Sequence, residues 1–185
     1  VNLRRHSPTL VANKHAILSP SNYHWVNYDD DKMKRAFYTQ EASARGTRHH
    51  NLAQILISEG VRLPDTNETL NLYVNDCIGY RMTPEWLLYF SDNCFGTADA
   101  CGFKNNKLRI FDLKTGVTEA SMVQLEVYTA LFCLEYGFRP FDIQMDLRIY
   151  QNDQARLHEP DPDDIMHIME KIKYLDKFIK ILKEA

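Results

Sequence analysis

The stretch from Phe95 to Tyr128, FGTADACGFKNNKLRIFDLKTGVTEASMVQLEVY, constrains the fold of this chain more than any other. Two apolar-rich runs, Cys94 to Phe103 and Leu108 to Leu113, flank Lys104-Asn105-Asn106-Lys107. Two turn-forming asparagines between such runs predict a β-hairpin. Each arm carries one acid: Asp99 in the first, and Asp112 near the end of the second, with Lys114 two residues on. Side chains alternate faces along a strand, so Asp112 and Lys114 share one side and Leu113 points to the other. Thr115-Gly116 is a tight turn, and a helix is expected from about Glu119 to Tyr136. Gln124 and Tyr128, four apart, lie on one face of that helix.

A carboxylate within an apolar strand is costly unless it is paired or holds a cation. The pattern therefore admits two readings. In one, Asp112 and Lys114 form a surface ion pair on an edge strand, as an isolated D-x-K commonly does. In the other, the acids are oxygen ligands of a hard divalent cation such as Mg²⁺, which takes one or two carboxylates plus water and substrate phosphate, and the lysine holds the attacking water. Upstream, a helix expected from about Gln40 to Ser58 contains Gly46, which costs about 1 kcal/mol against alanine. A glycine kept there asks for close approach by another backbone or a phosphate. His50 lies one turn further on the same face, and His49 is about 100° round the helix. A lone helical histidine is ordinarily a plain surface or core residue.

The segments G-T-x-x-H-x-L-A from Gly46, then GTADA, FDLKTG and QLEVY, in that order, resemble the nuclease domain of the RecB-like branch of the PD-(D/E)XK superfamily, which includes CRISPR adaptation nucleases and many phage exonucleases. The resemblance implies an α/β fold, with a central mixed sheet flanked by helices in αβββαβ order. It implies a metal-dependent deoxyribonuclease in which His50, Asp99, Asp112 and the backbone carbonyl of Leu113 hold Mg²⁺ or Mn²⁺. Lys114 would position the nucleophile, and Gln124 and Tyr128 would orient the strand, which completes a catalytic set with Asp99 and Asp112. Glu85 is the positional match for a glutamate that often precedes the GT-x-D strand, although Thr83-Pro84-Glu85 reads equally as a turn with a solvated acid. Arg45, Arg48, His49 and Thr115, together with Gln124 and Tyr128, are the implied DNA contacts. Phosphate contacts carry no sequence code, so the expected activity is a non-sequence-specific exonuclease in DNA recombination, repair or phage DNA processing. The alternatives are a structure-dependent endonuclease or nickase, and a non-catalytic DNA-binding subunit on the same fold. A helicase or recombination partner, or a homo-oligomer, fits such a small nuclease.

With 185 residues, 44% of them hydrophobic, one domain is expected over 1–185. It comprises an arm over 1–18, a motif-bearing core at about 41–150 and a last helix at about 162–184. The formal net charge of -3 gives no global basic footprint of the kind nucleic-acid binders usually carry, although a loaded metal neutralises its own carboxylates. Cys77, Cys94, Cys101 and Cys133 form no C-x-x-C pair, which argues against a zinc ribbon. They also depart from the iron–sulfur spacing of some RecB-like nucleases, so no cluster is expected and they read as small core residues in a reducing compartment. No run approaches the ~20 apolar residues of a membrane span and no signal peptide is visible, hence a cytoplasmic site (or host cytoplasm) and no membrane.

Elsewhere, Ser19 is expected to cap a helix opening at Pro20, with Tyr23 and Trp25 packing. Arg4 and Arg5, and the cluster Lys32, Lys34 and Arg35, read as phosphate contacts or as solvated charges. Asp29-Asp30-Asp31 reads as a loop and helix start, 67–77 as a short helix, and 85–90 as a strand. Phe141 to Tyr150 alternates apolar and polar as a half-buried strand should, with Arg148 near its end. Residues 158–164 read as a stiff acidic loop. In the last helix, Ile165, Ile168, Ile172, Leu175, Ile179 and Leu182 should pack on one face, with the lysines solvated.

Overall fold

The computed structural model describes residues 17–18 and 20–184, with the backbone alone for 20–23. The arm containing Arg4 and Arg5, the Ser19 cap and the Tyr23 side chain lie outside the described residues. The chain divides into two units, Val1–Arg45 and Gly46–Ala185.

In the first unit a 3₁₀ helix, Pro20–Asn27, precedes α1, Asp30–Glu59. Asp29 Oδ1 accepts the Lys32 amide at 2.7 Å, and Asp30 and Asp31 occupy the first turn. A capping carboxylate with two further acids suits the positive end of a helix dipole. The acidic triplet thus starts α1 itself, about ten residues before the expected helix. No Gly or Pro falls between Lys32 and Arg45 to break it.

The second unit holds the rest of α1, then α2 (Thr69–Gly79), β1 (Thr83–Ser91), β2 (Cys94–Lys104), β3 (Lys107–Leu113), α3 (Val123–Tyr136), β4 (Gln144–Gln151), β5 (Gln154–His158) and α4 (Pro162–Glu184). The five strands form one mixed sheet in chain order. Every neighbouring pair is antiparallel except β3 and β4, which run parallel and are joined through α3. One face packs Leu108, Ile110, Leu147 and Ile149 against Leu125 and Leu131 of α3 and Ile165 and Met169 of α4. The other packs Phe111, Leu113 and Tyr150 against Ala53 and Ile57 of α1 and Tyr73, Val74 and Cys77 of α2. The molecule is therefore α/β, a mixed sheet covered by helices on both faces.

The β2–β3 hairpin turns at Asn105 and Asn106, with φ of 52° and 59°, the left-handed pair a two-residue hairpin turn requires. Asn152 and Asp153, at 52° and 59°, make the same turn between β4 and β5. Strand β5 lies where no element was expected and takes in only His158 of the stretch expected to be a loop. Its partner β4 begins at Gln144 and not at Phe141, because Pro140–Asp142 forms a 3₁₀ turn that leaves Phe141 exposed. Helix α2 begins two residues after Asn67, where the Thr69 amide and hydroxyl both bond Asp153 Oδ1. Helix α3 begins at Val123 and not near Glu119. The segment before it is held as a loop by Gln151, whose amide nitrogen donates to the Gly116 and Thr118 carbonyls while its oxygen accepts the Ala120 amide, and by Arg156 on Glu119 and the Ala120 carbonyl.

The apolar stripe of α4 is buried only over its first half. Ile165 is buried, but Leu175 and Leu182 are 40% and 59% exposed, against the expectation of one continuous packed face. At 23 residues α4 outlasts the 14-residue α3 it packs on, by about 13 Å at 1.5 Å per residue.

Candidate active site

The site is made by a break in the sheet. Strand β2 pairs with β3 only from Ala100↔Phe111 toward the turn, yet it stays paired with β1 back to Cys94. At Asp99 the ladder to β3 ends, and the Leu113 amide instead donates to Asp99 Oδ2 at 2.9 Å. The side chain thus completes a strand-end bond that the backbone leaves open. Opposite this point, β1 is kinked at Glu85, which has φ of 51°.

Asp112 stands on the α3 face of β3, 2% exposed. Lys114 Nζ lies 3.1 Å from its Oδ1 and 3.0 Å from its Oδ2. Only the Oδ1 contact has hydrogen-bond geometry, which leaves Oδ2 a buried carboxylate oxygen with no donor. Burial, and then the charge of Asp99, push the Asp112 carboxyl up to about 6 from its usual 3.8, against the pull of Lys114. The lysine is itself fixed from α3 by Gln124 Oε1 at 3.0 Å. His50 on α1 approaches Asp99 from the other side, Nδ1 to Oδ2 at 3.3 Å. The Asp99 carboxylate raises the imidazole pKa, partly offset by burial.

Tyr128, one turn after Gln124, donates to the Thr97 carbonyl at 2.7 Å and so ties α3 to β2 where β2 parts from β3. It lies so close to the strand that a Cβ on Gly96 would stand 3.0 Å from its ring. Gly46 serves a similar purpose on α1: a Cβ there would be 3.0 Å from Thr115 Oγ1. The close neighbour is thus a side chain of the loop following Lys114, and neither the backbone nor the phosphate expected from the sequence.

His50, Asp99, Asp112, Leu113, Lys114, Gln124 and Tyr128 therefore form one connected cluster, with Thr115 at its rim. Other residues singled out by the motifs stand apart from it. Glu85 is exposed and bonds none of the cluster. Arg48 is exposed and makes no ion pair among the described residues, His49 is half-buried beside His50, and Arg45 belongs to the first unit. Arg148 is largely buried. It is bidentate to Asp146, at 2.8 and 3.0 Å, and its guanidinium lies over the Tyr80 and Phe111 rings on the α2 face.

Motif spacing did not reveal Gly96, the Thr97 carbonyl or Gln151. The glycine lay in plain view in GTADA, but its use depends on a tyrosine 32 positions away. Gln151 ends a strand whose hairpin partner had gone unrecognised.

Among the described residues, no three His, Cys, Asp or Glu side chains are gathered closely enough to make a formed metal cluster. As the side chains stand, Asp112 is turned to Lys114, and Asp99 to His50 and the Leu113 amide. The donor chemistry still fits a hard divalent cation: two neighbouring carboxylates, of which Asp112 has a buried oxygen lacking a donor and is pushed toward protonation by burial and by the charge of Asp99, and an imidazole beside them.

No family model matches the chain, and no curated protein matches it. A solved structure described as "Crystal structure of SSO0001" aligns at 12% identity with a TM-score of 0.32, over 58% of this chain and 57% of that one. The chain thus spans less than two thirds of that protein's length, and a likeness of this extent carries neither fold family nor function across. No helix among the described residues is long and apolar enough to cross a membrane.

Proposed function

We propose that the chain is a metal-dependent deoxyribonuclease of the RecB-like, PD-(D/E)XK kind. The observation that carries this reading is the buried Asp112 beside the half-buried Asp99 at the parting of β2 and β3, with Lys114 on Asp112 and Gln124 on Lys114. The run α2, β1, β2, β3, α3 and β4 supports the αβββαβ core that the resemblance implies.

His50, Asp99, Asp112 and the Leu113 carbonyl would hold Mg²⁺ or Mn²⁺. When bound, the ion would lower the pKa of the attacking water and stabilise charge growing on the phosphate. The chain's own part is positional. Gln124 keeps the Lys114 ammonium at the acid, where it can hold a water or a phosphate oxygen through its one remaining proton. The Tyr128–Thr97 bond fixes the distance between α3 and β2. Thr115 is exposed at the rim of this cluster and would contact the DNA backbone, with the exposed Arg48 of α1 further along the same strand of DNA. No element reads base edges, so a non-sequence-specific exonuclease acting in recombination, repair or phage DNA processing is the favoured activity.

The test is digestion of end-labelled linear DNA beside a closed circle, with Mg²⁺, with Mn²⁺ and with chelator. Metal-dependent loss of the linear form alone supports the exonuclease. Cutting of the circle moves the assignment to an endonuclease or nickase, and DNA binding without cutting moves it to a non-catalytic subunit.

A further inference from the structure

At the far end of β3 a second, chemically different place opens on the α2 face. A cavity of about 390 Å³ is lined by Arg81, Lys104, Lys107 and Arg109, with Tyr80, Gln144 and Asn105 between them and no acid in its wall. The Arg62 guanidinium lies beside it, 3.5 Å from where a Cβ on Gly79 would be. The nearby carboxylate, Asp146, is buried and already taken in a bidentate grip by Arg148. It reaches Arg109 Nε only at 3.5 Å and Lys107 Nζ only at 3.9 Å. The Arg109 Nε proton is buried without a hydrogen-bond acceptor, and among the described residues Arg81 and Lys104 make no ion pair.

In a chain whose net charge is -3, such a concentration of cations is stabilised by an anion. Guanidinium forks flanked by ammonium groups match the oxygens of a phosphate. The cavity is of a size that holds small ligands, so the phosphate can be borne on a larger molecule. The Tyr80 ring has the Arg109 and Arg148 guanidiniums over it, so it offers no free platform for a base, and recognition is confined to the phosphate.

We infer that this cavity is a phosphate-binding site separate from the carboxylate cluster. Arg109 precedes Asp112 by three residues, about 10 Å along the strand, and odd and even positions face opposite sides of the sheet. A phosphate held there is not the one next to Asp112. The chemistry is shared by a backbone phosphate of a nucleic acid and by a free phosphate or phosphomonoester.

The test uses the whole chain and no cleavage readout, so it is independent of the nuclease assignment. Binding of inorganic phosphate and of pyrophosphate is measured by calorimetry for the wild type and for the double variant Arg81→Glu, Lys104→Glu. Both positions are exposed, so the fold should survive, and circular dichroism checks it. Loss of two charge-assisted contacts should weaken binding by about tenfold or more. Labelled single-stranded DNA is then titrated onto Asp112→Ala with and without the double substitution. A parallel loss of DNA affinity with a shallower salt dependence identifies the nucleic-acid backbone as the source. Loss of phosphate binding with unchanged DNA affinity identifies a free phosphate or phosphomonoester. Absence of phosphate and pyrophosphate binding by the wild type, or equal binding by the double variant, overturns the site.

Discussion

At the scale of single residues, the cluster accepts costs that a purely structural site would avoid. Asp112 is buried with one oxygen unpartnered, and its neighbour Asp99 disfavours its charge. Asp112→Asn, in chelator at neutral pH, should therefore melt about 2–4 °C above the wild type, since removing about 1 kcal/mol of penalty shifts a chain of this size by that much. Magnesium should then raise the wild-type melting temperature and leave the variant unmoved. Identical magnesium responses would remove Asp112 from the ligand set. Gly46→Ala separates stability from function in the same way. Alanine gains about 1 kcal/mol in a helix interior, and the atom its Cβ meets, Thr115 Oγ1, ends an exposed side chain that can turn aside. Calorimetry should show a higher melting temperature while cleavage falls, because the Thr115 hydroxyl is turned away from its place at the rim of the cluster. Unchanged cleavage would mean that the close approach has no catalytic use. Residues of the cluster were legible where spacing is local, as for Asp112, Lys114, Gln124 and Tyr128. The His50–Asp99 contact bridges 49 positions and followed only from the resemblance of the motifs. Gly96 was missed because no local rule says which distant ring will lie over it.

At the scale of elements, the β2–β3 hairpin was readable because two asparagines between apolar runs leave the backbone one cheap turn. The β4–β5 hairpin carries the same kind of signal in Asn152-Asp153. Its second arm, Gln-Ala-Arg-Leu-His, is too short and polar to announce a strand. Gln151 and Arg156, one on each arm of this hairpin, hold 116–120 as a loop, and so α3 is shorter at its start than its sequence pattern predicts. Helix α4 is anchored to the β1–β2 turn through Asp176, which accepts from Ser91 Oγ at 2.6 Å and Asn93 Nδ2 at 2.9 Å and pairs with Lys180 at 2.6 Å. The Lys180 bond first, then Ser91 and Asn93, hold its carboxyl down at about 2 from the usual 3.8. A folded-state pKa below the unfolded one contributes stability above about pH 4 that is lost as pH falls through about 2. Asp176→Asn should therefore lower the melting temperature at pH 7 and converge with the wild type toward pH 2. A constant offset across that range would show that the anchor does not depend on the charge.

At the scale of the whole molecule, the helices placed on the two sheet faces give those faces different chemistry. The α3 face presents the Asp112, Lys114 and Gln124 constellation, and the α2 face presents a cationic cavity at the opposite end of β3. A net charge of -3 conceals both. The acids at the parting of β2 and β3 are the point on which the account rests, and the most direct test is cleavage of end-labelled linear DNA by the wild type and by Asp112→Ala, in Mg²⁺, with both proteins shown to be folded by circular dichroism. The wild type should cleave and chelator should abolish cleavage, and the variant should lose about a thousandfold or more, as expected when a group acting on the reacting phosphate is removed. Equal cleavage by the two proteins would contradict that role.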